Sequence, residues 1–391
     1  MRIAVIHTQP LDTREAGVAF VAGAAAGLAQ AGAQVSLLVP AGMDSSALAL
    51  SRLGVDDALA FRVEPMPRTQ WSLGPFHPSW SARFRRAVVK TLREKKFDVA
   101  VVREIKMAQE LLRANLPAKI VFELHNVYTL GQDDPEALRL FPEKKLAQHK
   151  ERVAAEAEAL MTVDGVIALT DGLRKQLVPM FDLDGRIVAA GSALHPLAEK
   201  TRDENPTDVA YIGSLDPHKG VGLVVEALRE LPDKTRLLLF GHGRHHQPLL
   251  DLADQFGVRE RLQLAGWHNP AELPAALRSC CAAAVPLEDC FYNRYVTSPM
   301  KLFDYARAGV TPVVPKLPVF DELFPDGKGA VVVAESTAGH FAAALRRLVD
   351  DSSFRAQKEK ELAAFAAAHT WQKRGETLLA FFANLEKRKN R

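Results

Sequence analysis

Two series of short, uninterrupted apolar runs, alternating with stretches of helical periodicity, constrain this chain more than any other feature. In the first series the runs fall at residues 2–7, 34–39, 58–63, 99–102, 119–124 and 165–169, with helical stretches near 81–95 and 142–162. The second restarts at Val209 and continues through 236–240, 262–265, 282–287, 311–314 and 330–333. Short runs without polar alternation suit strands buried on both faces, and strand–helix alternation implies parallel sheets covered by helices. Right-handed crossovers follow by default. Between the series, residues 195–208 carry Pro196, Pro206 and a cluster of charges, which places a linker there. The 391 residues exceed one ordinary core. The expected architecture is α/β: two doubly wound Rossmann-like domains, 1–197 and 208–365, with strand carboxyl ends turned to one central cleft, and a helical tail at 366–391.

Composition excludes several function classes. A net charge of +3 is too small to predict a nucleic-acid partner. The three cysteines, Cys280, Cys281 and Cys290, offer neither a disulfide framework nor metal-ligand spacing and suit a reducing cytosol. Residues 1–10 read as a strand rather than a leader, and no apolar stretch approaches the ~20 residues of a membrane span. A cytoplasmic protein is expected, its oligomeric state left open.

Chemistry concentrates at two strand–helix junctions of the second half. Ser298–Gly309 reads S-P-M-K-L-F-D-Y-A-R-A-G after an apolar run. Ser298 suits an N-cap and Pro299 a first helical residue, so backbone N–H groups around Met300 and Leu302 would face an anion, with Lys301 adding charge. Asp304 is too far in to cap and suits ribose hydroxyls, on a side of the helix expected to face solvent. Upstream, Gly213–Leu215 and Lys219–Gly220 form G-S-L-x-x-x-K-G between a strand and an apolar helix. Such a turn aims backbone N–H groups and an ammonium at a diphosphate. Alone, either block is also compatible with a well-capped helix after a core strand.

Together the two blocks resemble the G-[RS]-L-x-x-x-K-G and S-P-x-K-[LI]-F-[ED]-Y-x-x-x-G elements of retaining glycosyltransferases of family 4, which have the GT-B fold. The resemblance implies transfer of a sugar from a nucleotide-diphosphate sugar to an acceptor, without metal or other cofactor. It implies that the second domain binds the nucleotide sugar, that the first faces the acceptor, and that Trp371 precedes a final helix crossing back to the first domain. Ser214 replaces the Arg found in many members, with Lys301 as compensating cation. Where many members have a first glutamate this chain has Val296, while Asp304 takes the second, ribose-binding position. By the same resemblance Gly17 approaches the donor diphosphate, Gly241 lies in the turn of the next strand, and Gly266 and Trp267 stand near the base. His125, ending the run V-F-E-L-H-N, contacts the donor sugar. Expected catalytic residues are therefore His125, Lys219 and Lys301. The donor and nucleotide set adds Gly17, Gly213, Ser214, Gly241, Gly266, Trp267, Ser298, Pro299, Met300, Leu302 and Asp304.

Other readings stay open. Glu123 either orients His125 or is a buried paired carboxylate, and Arg103 with Glu104 suits a structural ion pair. His242, His245 and His246 lack the carboxylate or Cys that would complete a metal set. Residues 68–96 interleave Trp71, Phe76, Trp80 and Phe84 with Arg83, Arg85, Arg86, Lys90 and Arg93. This segment, Trp71 to Arg93, suits either peripheral contact with an anionic membrane or a surface helix with its aromatics in the core. A nucleotide-sugar epimerase or hydrolase, and a non-catalytic nucleotide-sugar binder, are the competing functions.

Overall fold

The computed structural model describes residues 1–55, 61–67, 80–130, 143–195, 203–216, 219–243 and 246–389. The chain divides into two compact units, the first comprising Met1–Gly191, Val296–Ser298 and Trp371–Arg391, the second Ser192–Tyr295 and Pro299–Thr370.

Unit 1 is built on a seven-stranded parallel sheet: β1 (Arg2–Ile6), β2 (Gln34–Pro40), β3 (Phe61–Met66), β4 (Val99–Val102), β5 (Lys119–Leu124), β6 (Gly165–Ala168) and β7 (Ile187–Ala189). Their order is β3-β2-β1-β4-β5-β6-β7, all neighbours parallel. Central β4 and β6 are buried along their whole length, as strands covered on both faces must be. β3 extends three residues past the end its pattern predicts, and Pro65 is tolerated because β3 is the edge strand. β7 escapes the pattern because only three residues pair.

The helix Ala16–Gln30 meets the last helix, Trp371–Lys389, at glycines. A Cβ on Gly27 would lie 2.0 Å from the Trp371 carbonyl oxygen, and one on Gly375 2.2 Å from that of Gly27. The backbones therefore approach directly, which docks the last helix in unit 1. The helix Trp80–Glu94 buries Phe84, Val88 and Leu92 while Arg86, Lys90 and Arg93 are exposed, so Phe84 belongs to the core. Trp71 and Phe76 lie outside the described residues, and no described helix is long and apolar enough to cross a membrane.

Unit 2 carries β8 (Asp208–Ile212), β9 (Leu237–Phe240), β10 (Leu262–Gly266), β11 (Cys280–Ala284), β12 (Thr311–Pro315) and β13 (Val331–Val333), in the order β10-β9-β8-β11-β12-β13. β11 begins and ends earlier than predicted. Cys280 and Cys281 are small and fully buried, so they enter the sheet, and Pro286 lacks the N–H needed to extend it. The apolar helix expected after Gly220 is α-helical only over Val221–Ala227 and tightens to a 3₁₀ turn at Leu228–Glu230.

Candidate active site

In an open parallel sheet, ligands bind beyond the strand carboxyl ends where the order reverses. In unit 2 this is the crevice between β8 and β11. Tyr305, from the helix Met300–Ala308, fills it: its hydroxyl accepts from the Ile212 N–H at 2.7 Å and lies 3.5 Å from the Ala284 carbonyl. The Tyr of the sequence block thus ties β8 to β11 and sets the helix against the crevice. Sequence reasoning left this residue without a role, although its position one turn after Lys301 within the block was visible.

Gly213 ends β8 with φ of 135°, where a side chain would be strained. A Cβ there would lie 3.1 Å from Lys301 Nζ, and one on Gly241 would lie 1.8 Å from the Gly213 carbonyl oxygen. The ammonium and two strand ends therefore share a space only glycines leave open. Lys301 Nζ stands 4.1 Å from the Tyr211 ring centroid, a cation–π contact, and the Tyr211 hydroxyl donates to the Ser214 carbonyl at 2.8 Å. Burial, and then repulsion by Lys219, hold the Lys301 ammonium down to about 7, with Asp304 opposing. Lys301 thus lies within the field of the Lys219 charge. Positive charge at this strand end attracts a diphosphate. Ser214 is bonded through its hydroxyl to Asp216, and the Lys219 N–H donates to the Asp216 carbonyl at 3.0 Å.

Several expectations are corrected. The helix starts at Met300 with Pro299 as N-cap, so Ser298 is not the cap. Ser298 instead groups with unit 1, its Oγ 2.8 Å from where a Cβ on Gly191 would stand. Asp304 is half-buried rather than on a solvent face, and burial pushes its carboxyl up to about 7 against the pull of Arg307 and Lys301. The Leu302 side chain is fully buried, leaving only its backbone for a ligand. Val296 is also fully buried, at the end of a π-helical turn, Tyr292–Val296. Gly266, with φ of 77°, accepts at its carbonyl from the Gly241 N–H at 2.8 Å, while Trp267 and Met300 are half-buried. His245 lies outside the described residues.

A direct test of this packing is Gly213→Ala, expected to cost about 1–3 kcal/mol through backbone strain. Gly241→Ala, which drives a Cβ into backbone rather than a mobile side chain, is expected to cost more. Denaturant unfolding of the two variants measures both; equal and negligible losses would contradict the packing.

In unit 1 the order reverses between β1 and β4. His7 follows β1, Arg103 follows β4, and His125 follows β5, whose Glu123 is 3% exposed. His125 Nε2 lies 3.0 Å from Glu123 Oε2, and Arg103 Nε 3.6 Å from the same oxygen. Arg374 bonds Glu123 Oε1 through Nη2 and donates Nε–H to the Gly191 carbonyl at 2.8 Å. Phe20 stands at the centre, with the His125 ring edge-on at 4.6 Å, Trp371 at 5.2 Å, and the guanidinium carbons of Arg103 and Arg374 at 4.9 and 5.0 Å. Arg103 Nη1 donates to the Gly17 carbonyl at 2.8 Å, which fixes the first strand–helix loop. Glu123 is held well below the usual carboxylate range, burial being outweighed by Arg374, His125 and Arg103. Burial, and then Arg103, lower His125 to about 4, so its imidazole is neutral at pH 7. His7 is lowered to about 3 by burial and Arg103. Both open readings of Glu123 thus coincide: it is a buried, paired carboxylate and it orients His125. Sequence reasoning missed Arg374 and His7; Arg374 carries no local pattern, since its partner is 251 residues away.

Comparison with known proteins adds to this geometry. Residues 16–190 match the glycosyl transferase 4-like domain, and residues 197–368 match glycosyl transferases group 1. A glycogen synthase of Mycobacterium tuberculosis is 24% identical over 206 residues, 51% of this chain and 48% of that protein, so the alignment spans about half of the relative's length. The structure of a sucrose-phosphate synthase from Thermosynechococcus elongatus superposes with a TM-score of 0.76 at 14% identity, covering 99% of each chain. That of Anabaena HepE in complex with UDP and glucose superposes with a TM-score of 0.67 at 16% identity, covering 97% of this chain and 98% of that one. With a 4-like domain on its first Rossmann-like unit and a group 1 domain on its second, the chain belongs to the GT-B glycosyltransferases.

Proposed function

We propose that this protein is a retaining glycosyltransferase that takes a sugar from a nucleoside-diphosphate sugar and passes it to an acceptor without a metal ion. The observation carrying this reading is Lys301, whose Nζ stands against Gly213 at the switch point of unit 2 within the field of the Lys219 charge, beside strand ends kept open by Gly213 and Gly241. Positive charge on a backbone that cannot carry side chains suits a diphosphate leaving group, whose developing charge it stabilises. The uridine diphosphate and glucose bound to HepE make UDP-glucose the first donor to try. Asp304 is assigned the ribose hydroxyls and His125 the donor sugar. Titration calorimetry with UDP and uridine, in the presence of a chelator, tests the assignment. Tight UDP binding and weak uridine binding are expected, and equal affinities, or a requirement for metal, would overturn it. The anomeric configuration of the product, read by NMR once an acceptor is found, tests retention.

The two groups near pH 7 give a pH signature. Lys301 must be protonated to hold phosphate; its free-state value of about 7 means that binding takes up a proton above pH 7, so UDP affinity falls as pH rises. Asp304 must be ionised to accept from ribose; its value of about 7 means that affinity falls as pH drops below 7. UDP affinity is therefore expected to peak near neutrality. Lys301→Ala should remove the alkaline limb and Asp304→Asn the acid limb. A flat profile for the unmodified protein between pH 5.5 and 8.5, in calorimetry, would contradict the assignment.

A further inference from the structure

The last helix brings to the His125 region a side chain that the reaction itself does not call for. Arg374 is 7% exposed, and it holds Glu123 on the oxygen opposite to the one that His125 uses. The same guanidinium also bonds the carbonyls of Gly191 at 2.8 Å and Ala190 at 3.3 Å, just beyond β7. Its guanidinium carbon lies 5.0 Å from the Phe20 ring that the imidazole edge meets. We propose that Arg374 is a positioning residue for His125, acting through Glu123 to fix which ring nitrogen carries the imidazole proton and to keep the ring neutral.

An ionised carboxylate only accepts, so the His125 nitrogen facing Glu123 Oε2 carries the proton, and Nδ1 holds the lone pair. A buried carboxylate left with one fewer cation would draw a second proton onto the ring. Arg374 occupies Oε1 and neutralises Glu123 from the far side, while Oε2 accepts the ring N–H at 3.0 Å and forms an ion pair with Arg103 at 3.6 Å. Docking of the last helix at Gly27 and Gly375 fixes where the guanidinium stands. The groups facing His125 are Arg103 after β4, Glu123 on β5, His7 after β1 and Arg374 on the last helix, and Glu104 lies next to Arg103. The significance for catalysis rests on the reading of His125 given above; the tautomer does not.

The test is NMR of protein labelled with ¹⁵N-histidine, with His125 assigned by His125→Asn. In the unmodified protein long-range nitrogen–proton correlations should show the Nε2-protonated neutral tautomer down to about pH 5. In Arg374→Met the titration midpoint of His125 should rise by ~1 unit or more, the usual effect of a less neutralised carboxylate nearby. The acid limb of turnover should rise with it, while the Kd for UDP stays unchanged. An unmoved midpoint in folded Arg374→Met would overturn the proposal. Because that variant leaves a buried carboxylate short of a cation, a double variant, Glu123→Leu with Arg374→Met, removes both charges together. It should show a mixed tautomer, and retention of the pure Nε2-protonated form would equally overturn the proposal. A moved midpoint alongside a fully active His125→Ala would instead keep the positioning role and remove the catalytic reading of His125.

Discussion

Lys301→Ala is expected to weaken UDP binding by about 1.5–3 kcal/mol, roughly 10–150-fold, while leaving uridine binding nearly unchanged. The selectivity follows from the geometry. Lys301 Nζ stands over the Tyr211 ring and against Gly213, at the carboxyl end of β8, so what it adds to the site is charge at the strand end. Lys219→Ala is expected to give a loss of the same size, and the double variant to depart from the sum, since both side chains act on one ligand. Calorimetry with UDP and uridine on all three variants decides the matter. An equal loss for nucleoside and diphosphate would mean that Lys301 supports the fold of the crevice rather than the phosphates.

The parts of this site legible in the sequence were those whose meaning is local. Gly213, Lys219 and Lys301 fall at fixed distances from strand ends, and their residue types carry the chemistry. What the pattern could not show was depth. Asp304 lies beside Phe303 and Tyr305, and helical periodicity alone assigns it to the outer side; its surroundings half-bury it and raise its carboxyl. Helix starts were equally opaque: Ser298 and Pro299 are both good termini, and only the backbone shows Pro299 as the cap. β11 was displaced because Cys and Ala carry a weaker strand signal than the Val and Leu that follow them. The greatest gap is Arg374, which becomes significant only when Gly27 and Gly375 bring two distant helices together.

His125→Ala should lower turnover by about 10²-fold, the scale for losing one preorganised polar contact to a transition state, with UDP affinity nearly preserved. The structure makes the split between kcat and affinity a strong expectation. His125 belongs to unit 1, whereas the cations and glycines assigned to the diphosphate belong to unit 2. The ring is neutral at pH 7 and directs its Nε2–H to Glu123. It is not suited to bind phosphate as a cation. His125→Gln, which keeps an acceptor of similar reach, should recover part of the loss, whereas a role in simply holding Phe20 would not distinguish Gln from Ala by hydrogen bonding. Steady-state kinetics with a competent acceptor, paired with UDP calorimetry, measures both quantities. Loss of UDP affinity in parallel with turnover, or full turnover in His125→Ala, would remove His125 from the chemistry and leave it as a structural partner of Glu123.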